Sequence, residues 1–276
     1  MYSKRTGSGR PLLLVHGLGS SHRNWDPILA ELAAQHEVIA VDLPGHGTTP
    51  PLALPTTIAS LADELQRFVL EEDLDAIDLV GSSMGARLVL EMARRGHTGR
   101  VVALDPGGFW TDREVRVFGI SIRASVALVR AISPALPLLV ANRVARTMLL
   151  AQFSVAPWRL PSDLVLRELR GFTTAPSLDA ALDDLVHGPR QQSAPSGSIA
   201  NRVVIGWGRN DRVTLPRQAR RAQAAFPDAE LHWFDHCGHF PHWDLPEQAA
   251  ALILSTMERR AVHEGSADAP PSSPSS

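Results

Sequence analysis

The chain has little of what marks disulfide-bonded, membrane-spanning or secreted proteins. Cys237 is the sole cysteine among 276 residues, so no disulfide can form within the chain. No apolar run reaches the length of a membrane span, and the first ten residues lack the apolar segment of a secretory signal. We therefore expect a cytoplasmic protein with no integral membrane segment.

The chain also lacks a strong charge of either sign. It holds 27 Lys and Arg against 29 Asp and Glu, for a net charge of −2. Nucleic-acid binders usually carry a basic stripe or a high isoelectric point, so this balance argues against such a partner. Its apolar fraction of 44% is ample for a buried core. We expect a monomer or homodimer that acts on a small molecule.

A serine lies in a sequence context that is typical of catalysis. An apolar run at residues 77–80 leads into Gly81-x-Ser83-x-Gly85, and an apolar-periodic helix is predicted directly after it. A serine at the tip of a sharp strand-to-helix turn needs small residues two before and two after it, so that strand and helix can pass closely. The same residues alone would suit an ordinary turn, but this context predicts a nucleophile elbow.

A serine hydroxyl is a poor nucleophile, so catalysis demands a base and an orienting carboxylate elsewhere. The apolar strand predicted at 202–207 leads to Asp211, and the strand predicted at 230–234 leads to His239. Both residues would then lie on loops at the carboxyl ends of strands. The chain order Ser, Asp, His is that expected of α/β-hydrolases.

On these motifs, the sequence from residue 11 to about residue 260 resembles the α/β-hydrolase superfamily, in its serine hydrolase and esterase branch with a helical cap. The resemblance implies that Ser83 is the nucleophile, His239 the base and Asp211 the residue that orients the imidazole. It implies chemistry without a cofactor.

The segment His16-Gly17-Leu18-Gly19 follows another predicted strand, at residues 12–15. Its glycines allow the chain to turn tightly beneath a substrate. By the same resemblance, the backbone N–H groups of Leu18 and Met84 form the oxyanion hole. We expect His16 to pack and hydrogen-bond beneath this loop rather than to act as a second base.

Asp105 is the alternative to Asp211, because it also follows a predicted strand and some family members place the acid there. Asp211 is favoured, since its Gly-x-x-Asp loop before a helix matches the family better. Asp105-Pro106-Gly107-Gly108 is more typical of a turn that leaves the sheet.

The histidines near the carboxyl end superficially have the spacing of metal ligands: His232, His236, His239 and His242. A strand followed by a turn does not align them on one face, so we expect no metal. We expect Cys237 to be a passive neighbour of the catalytic histidine.

Alternating strands and helices predict an α/β fold, a mostly parallel doubly wound sheet of the α/β-hydrolase type. The strand candidates are residues 12–15, 37–42, 77–80, 100–104, 202–207 and 230–234; the helix candidates outside the cap are 25–35, 57–72, 86–95, 217–225 and 246–260. Because about ten residues precede Pro11, at most one short strand fits before it, and we expect the first outer strand of the family to be missing.

Residues 109–200 interrupt the alternation, with many prolines, several helix-length apolar stretches and no convincing strand. This pattern predicts a helical cap or lid over Ser83, while residues 1–108 and 201–260 form the core. The segment 261–276 is rich in Pro and Ser, so we expect it to be disordered.

Within the cap, residues 115–139 are apolar except for Arg116, Arg123 and Arg130. Recurrence every seven residues places these arginines on one narrow face of a predicted helix. The apolar remainder could pack against neighbouring helices, contribute to an apolar substrate pocket or contact a lipid surface. A solvated arginine face is favoured over a site for an anionic substrate.

Aromatic residues in the cap are candidates for the walls of a substrate pocket. We predict that Phe109, Trp110 and Trp158 bind substrate, with Phe153 and Phe172 as further candidates.

The predicted activity is that of a cofactor-free serine hydrolase, which cleaves carboxylic esters of small to medium apolar acyl groups through an acyl-enzyme on Ser83. The first alternative is a C–C bond hydrolase of the ring-cleavage-product type. The turn at residues 106–108 resembles the Pro-Gly-Gly turn of those enzymes, and arginines of the cap could bind a substrate carboxylate. A perhydrolase and a ligand receptor with slow turnover are the others.

Overall fold

A computed structural model of the chain describes residues 1–258, so the predicted disordered tail at 261–276 lies outside the described residues. Seven strands in the described residues form one sheet, and these are β1 (Ser3–Thr6), β2 (Arg10–Val15), β3 (His36–Val41), β4 (Asp78–Ser82), β5 (Val101–Leu104), β6 (Val203–Gly208) and β7 (Glu230–Phe234). Their spatial order is β1-β3-β2-β4-β5-β6-β7.

Only β1 runs antiparallel to its neighbour, which confirms a mostly parallel sheet. In the described residues, one short strand precedes β2, at the outer edge, as the space before Pro11 predicted. Each of the six strands predicted from the sequence is present with ends within two residues of those expected.

The helices of the described residues are α1 (Asp26–Ala33), α2 (Ile58–Glu71), α3 (Met84–Arg94), α4 (Asp112–Ala131), α5 (Leu136–Ala141), α6 (Arg143–Leu150), α7 (Ser162–Thr174), α8 (Leu178–His187), α9 (Ala219–Ala225), α10 (Pro241–Asp244) and α11 (Pro246–Glu258). Short 3-10 helices lie at His22–Trp25, Ser133–Ala135, Pro157–Arg159 and Pro216–Gln218.

The sheet has an apolar layer on each face. On the interior strand β2, Leu13 and Val15 join the layer formed with α2 and α3, whereas Leu12 and Leu14 join the layer formed with α1 and α11. All four side chains are buried. Alternate residues of a strand point to opposite faces, so a strand covered on both sides is apolar along its whole length.

Between β5 and β6 the described chain forms α4 to α8 and no strand, and these helices make up the segment for which the sequence predicts a cap. The predicted helix that carries Arg116, Arg123 and Arg130 is α4, which covers only part of the apolar stretch at residues 115–139. The helix ends at Ala131, and α5 begins after a 3-10 turn at Ser133–Ala135. Pro134 and Pro137 explain the break, because proline lacks the N–H that a helix interior requires.

The predicted arginine face lies along α4. Arg123 pairs with Asp183 at 3.0 Å and Arg130 with Asp179 at 2.9 Å, and both aspartates belong to α8. These ion pairs are exposed, so they add little stability and mainly orient α4 against α8.

No single helix among residues 1–258 is long and apolar enough to cross a membrane. The helix α4 and the segment Ser133–Ala141 meet that test only when taken together, and they are bent by 68°.

Candidate active site

Ser83 occupies a strained turn between β4 and α3, with φ 57° and ψ −113°. A Cβ on Gly81 would lie 2.3 Å from the carbonyl oxygen of Gly85, and a Cβ on Gly85 would lie 2.2 Å from the carbonyl oxygen of Val15. Only glycine fits at either position, because backbone atoms stand in the way. This strand–turn–helix geometry is that of a nucleophile elbow.

Three side chains that are distant in sequence form one hydrogen-bonded chain. His239 Nε2 lies 2.8 Å from Ser83 Oγ, and His239 Nδ1 lies 2.8 Å from Asp211 Oδ2. The three residues follow the carboxyl ends of β4, β6 and β7, which lie at one edge of the parallel sheet. The structure thus brings together the three residues that the sequence predicted.

Asp211 is held by its own loop. Its Oδ1 accepts hydrogen bonds from the backbone N–H of Val213 at 2.7 Å and of Thr214 at 3.1 Å, and its Oδ2 accepts from Thr214 Oγ1 at 2.6 Å. These donors fix the carboxylate so that Oδ2 faces the ring of His239.

Asp105, the alternative acid, lies behind this chain rather than in it. Its Oδ1 accepts a hydrogen bond from the backbone N–H of Gly208 at 2.8 Å, and it makes no hydrogen bond to His239 in the described structure. Burial raises the pKa of Asp105 well above that of an ordinary carboxyl, and the charge of Asp211 adds to the rise. Asp211 is therefore the carboxylate that contacts the imidazole.

The loop after β2 lies against Ser83. A Cβ on Gly17 would be 3.2 Å from the Cβ of Ser83, so any side chain there would crowd the hydroxyl. Within residues 1–258, neither the N–H of Leu18 nor that of Met84 has a hydrogen-bond acceptor. Two free donors beside the serine are what an oxyanion hole requires.

His16 supports this loop from below. Its Nε2 accepts a hydrogen bond from the N–H of Leu43 at 3.0 Å, which leaves Nδ1–H to donate to the carbonyl of Gly17 at 2.7 Å. Burial lowers the pKa of His16 to about 3, so the ring is neutral near pH 7. These contacts match the supporting role expected for His16.

A cavity opens directly onto Ser83 and His239. Its lining is mostly apolar and comes half from the core and half from the helices between β5 and β6. The core contributes Gly17, Leu18, Ser20, Ser83, Val213, His239, Phe240 and Trp243, and the cap contributes Phe118, Ile122, Leu150, Phe153, Glu168, Leu169, Phe172 and Leu185. Neither lysine nor arginine is among these residues.

The three aromatic residues predicted to bind substrate are not in this lining. Trp110 stacks on Phe118 with ring centroids 4.8 Å apart, Phe109 packs edge-on against Phe226, and Trp158 is 44% exposed. Tertiary packing turns these rings away from the cavity, as is common for aromatic residues in a lid. The further candidates, Phe153 and Phe172, do line the cavity.

Several lining residues were missed from the sequence. Phe118 and Ile122 lie four residues apart on α4, so helical spacing would have placed them on one face. No sequence signal singled out Glu168, which follows Arg167 on α7 and precedes a second arginine two residues later.

The histidine-rich segment contacts different partners. His232 packs edge-on against Phe234, His236 is exposed, and His242 Nε2 lies 2.6 Å from Asn24 Oδ1. These side chains do not converge on a common point. One other group does bring possible metal ligands within 4.8 Å of one another, namely Asp105, Asp211 and His239, but a metal there would replace the hydrogen bond between Asp211 and His239.

Cys237 is buried beside these carboxyls. Burial, and then the carboxyls of Asp105, Asp244 and Asp211, raise the pKa of its thiol. A thiol that stays protonated is a poor nucleophile, so its chemistry fits a passive neighbour.

Comparison with known proteins identifies the family. A model of the Alpha/beta hydrolase family matches residues 12–252. The chain is 32% identical, over 91% of its length, to the dihydrolipoyllysine-residue acetyltransferase component of the acetoin cleaving system from Cupriavidus necator, but it spans only 64% of that longer relative. It is 29% identical to 2-hydroxy-6-oxo-2,4-heptadienoate hydrolase from Pseudomonas putida, over 90% of this chain and 87% of the relative.

The fold has close counterparts among solved structures. A thermophilic esterase from Thermogutta terrifontis superimposes with a TM-score of 0.72 at 20% identity, over 92% of this chain and 91% of that one. With the family model matching nearly all of the sheet and the cap between its strands, the chain belongs to the alpha/beta hydrolase family.

Proposed function

We propose that the protein is a cofactor-free serine hydrolase that cleaves carboxylic esters. The observation that carries this proposal is the hydrogen-bonded chain from Asp211 through His239 to Ser83, which opens onto an apolar cavity. The helices of residues 109–200 form the cap that covers this cavity, and residues 1–108 and 201–260 form the catalytic core.

The reaction proceeds through a covalent acyl-enzyme. His239 removes the proton of Ser83 as Oγ attacks the ester carbonyl carbon, and Asp211 stabilises the imidazolium that forms. The N–H groups of Leu18 and Met84 hold the oxyanion, and each such donor is typically worth roughly 3–4 kcal/mol in the transition state. His239 then protonates the departing alcohol and activates the water that releases the acid.

The lining of the cavity favours an uncharged ester as the substrate over a ring-cleavage product. The name of the Pseudomonas putida relative describes a substrate that carries a carboxylate, for which a cationic side chain is the natural partner. No lysine or arginine lines this cavity, and Arg123 and Arg130 of the cap are paired with aspartates on α8. C–C bond hydrolysis remains the second candidate, because that relative is matched over nearly its whole length.

Steady-state kinetics test the assignment. We expect p-nitrophenyl esters of 4 to 8 carbons to be turned over many times, with kcat/KM at least about 100-fold above that for a ring-cleavage dienoate, since the cavity offers the carboxylate no partner. The Ser83→Ala variant should lose roughly six decades of kcat, because the three side chains act as a unit.

Ser82→Ala is the matched control. Ser82 is buried in β4, and its Oγ has no hydrogen-bond partner in the described structure, so its removal should leave turnover within about threefold of wild type. A single stoichiometric burst without turnover would instead identify a receptor. If the dienoate is cleaved faster than every ester, the activity is C–C bond hydrolysis instead. If hydrogen peroxide accelerates consumption of the ester while less of the acid is formed by hydrolysis, the activity is that of a perhydrolase.

A further inference from the structure

One carboxyl lies in the wall of this otherwise apolar cavity. Glu168 on α7 borders the same cavity as Ser83 and His239. Its Oε2 accepts hydrogen bonds from Ser20 Oγ at 2.7 Å and from Asn24 Nδ2 at 3.1 Å. Both donors belong to the core, so Glu168 reaches from the cap to the loop that carries Leu18.

The orientation of Asn24 is set by a buried neighbour. Burial lowers the pKa of His242 to about 3, so its ring is neutral near pH 7. His242 Nε2 lies 2.6 Å from Asn24 Oδ1, and because an amide oxygen can only accept, the neutral ring carries its proton on Nε2. The amide nitrogen of Asn24 must then face Glu168, and the oxygen Oε2 is committed to these core donors.

The other carboxyl oxygen is free. Among residues 1–258, no group donates a hydrogen bond to Oε1 of Glu168, and this oxygen is not sealed from solvent. The neighbouring Arg167 does not neutralise it by contact, since its guanidinium bonds to Asp26 at 2.8 Å and to Asp163 at 2.6 Å. Oε1 of Glu168 is thus an acceptor without a hydrogen-bond donor in the described structure, in a mostly apolar wall.

The position of this carboxyl is fixed by close packing. A Cβ on Gly171, which lies one helical turn from Glu168 on α7, would be 1.8 Å from the carbonyl oxygen of Gly19. The helix therefore lies directly on the loop of residues 16–20. The packed helix and the two hydrogen bonds to Oε2 together hold the carboxyl of Glu168 at the cavity wall.

We propose that Glu168 is a specificity-determining residue, which selects esters whose chain carries a hydroxyl group that hydrogen-bonds to its free Oε1. This inference rests on the proposed function, since it concerns the substrate of the same site. A plain alkyl chain would leave a desolvated oxygen unpaired, and a carboxylate would be repelled by the ionised form.

A hydroxyl suits this position better than an ammonium. Burial raises the pKa of Glu168 to about 7, against the opposing hydrogen bonds from Ser20 and Asn24. Both protonation states are therefore populated near neutral pH. A hydroxyl donates to the carboxylate and accepts from the carboxylic acid, whereas an ammonium pairs only with the carboxylate.

Matched substrates test the proposal. We expect wild type to show a kcat/KM at least about tenfold higher for p-nitrophenyl 3-hydroxyhexanoate or 6-hydroxyhexanoate than for p-nitrophenyl hexanoate, because a site built to bond a hydroxyl rejects the analogue without it. Glu168→Leu should remove this preference. Glu168→Gln should retain most of it, because its amide oxygen can accept from Ser20 and Asn24 while its amide N–H donates to the substrate hydroxyl. Glu247→Leu, an exposed position on α11, is the control and should keep the wild-type ratio.

The comparison of these esters with wild type alone can overturn the inference. The test therefore does not depend on whether a Glu168 variant folds. If wild type hydrolyses hexanoate as fast as both hydroxy esters, or if Glu168→Leu keeps the wild-type ratio, Glu168 does not select a hydroxyl. If no ester is hydrolysed, the proposed function fails instead. In that case ligand-observed NMR on Ser83→Ala still decides, since 1,6-hexanediol should bind more tightly than 1-hexanol and lose this advantage in Ser83→Ala/Glu168→Leu.

Discussion

At the scale of single residues, two carboxyls near His239 differ in their environment and so in their chemistry. Asp211 receives hydrogen bonds from Val213 and Thr214 and bonds to the ring, while Asp105 is buried nearby and makes no hydrogen bond to the ring in the described structure. The sequence could not separate them by position, because both follow strands whose ends lie at the same edge of the sheet. The loop around Asp211, rather than its place after a strand, was the informative feature.

This difference predicts unequal effects of the same substitution. Asp211→Asn should lower kcat by roughly four decades, because an amide no longer holds the imidazole in the tautomer that accepts the serine proton. Asp105→Asn should lower it by less than about tenfold, since Asp105 makes no hydrogen bond to the ring of His239 in the described structure and burial raises the pKa of its carboxyl. Ester hydrolysis under saturating substrate measures both, and a reversed order of the two variants would show that Asp105 is the functional acid.

Glu168 predicts a dependence of stability on pH. Its pKa is about 7 in the folded protein against 4.5 for an ordinary glutamate, so the folded state holds a proton that the unfolded state has lost between these values. Stability from this group therefore falls as pH rises from 4.5 through 7. As pH rises from 4.5 to 8, the unfolding free energy of Glu168→Gln should therefore increase by roughly 1–3 kcal/mol relative to that of wild type.

Urea unfolding of wild type and Glu168→Gln at both pH values measures this gain as a change in the difference between the two proteins. A difference that stays constant with pH would mean that Glu168 has the same pKa in both states.

At the scale of elements, the turn at Ser83 depends on the close approach of β4, α3 and the strand β2. Gly85→Ala should cost about 3 kcal/mol or more in unfolding free energy, because its Cβ would meet the backbone oxygen of Val15 at 2.2 Å. Gly96→Ala is the comparison, since its φ of 98° is strained for alanine but nothing lies within 4 Å of the added Cβ.

We therefore expect Gly96→Ala to lower the unfolding free energy, measured by chemical denaturation, by only about 1–2 kcal/mol. Equal losses for the two alanine variants would mean that backbone angles, rather than the packing of strand against helix, make glycine necessary in the elbow.

The elements also show what periodicity can predict. The strands were found because a strand covered on both faces is a short apolar run between turn residues, and β2 is such a run. The apolar stretch at 115–139 is not one continuous helix, because Pro134 and Pro137 interrupt it. The spacing of its apolar residues alone does not show that break. Which cap side chains face the cavity depends on how α4 to α8 pack, and spacing within one helix does not contain that information.

At the scale of the whole molecule, the topology of the sheet explains why the convergence of Ser83, Asp211 and His239 could be predicted. The residues that line the cavity could not be predicted in the same way. Parallel strands end at the same edge, so residues that follow β4, β6 and β7 were expected to lie close together, and the loop around Asp211 favoured it over Asp105. The contact of Glu168 with Ser20 joins two elements 148 residues apart, and no sequence rule pairs them. The convergence of Ser83, Asp211 and His239 follows from the topology of the sheet, whereas the lining of the cavity depends on how α4 to α8 pack.

The central claim is that Ser83 is a nucleophile activated by His239. Mass spectrometry of the protein after brief exposure to a fluorophosphonate tests it most directly, because this reagent forms a stable bond only with an activated serine. We predict one adduct per chain, located on Ser83 by peptide mapping, absent from Ser83→Ala and strongly slowed in His239→Ala. An unmodified Ser83 in a protein that still hydrolyses esters would contradict the account.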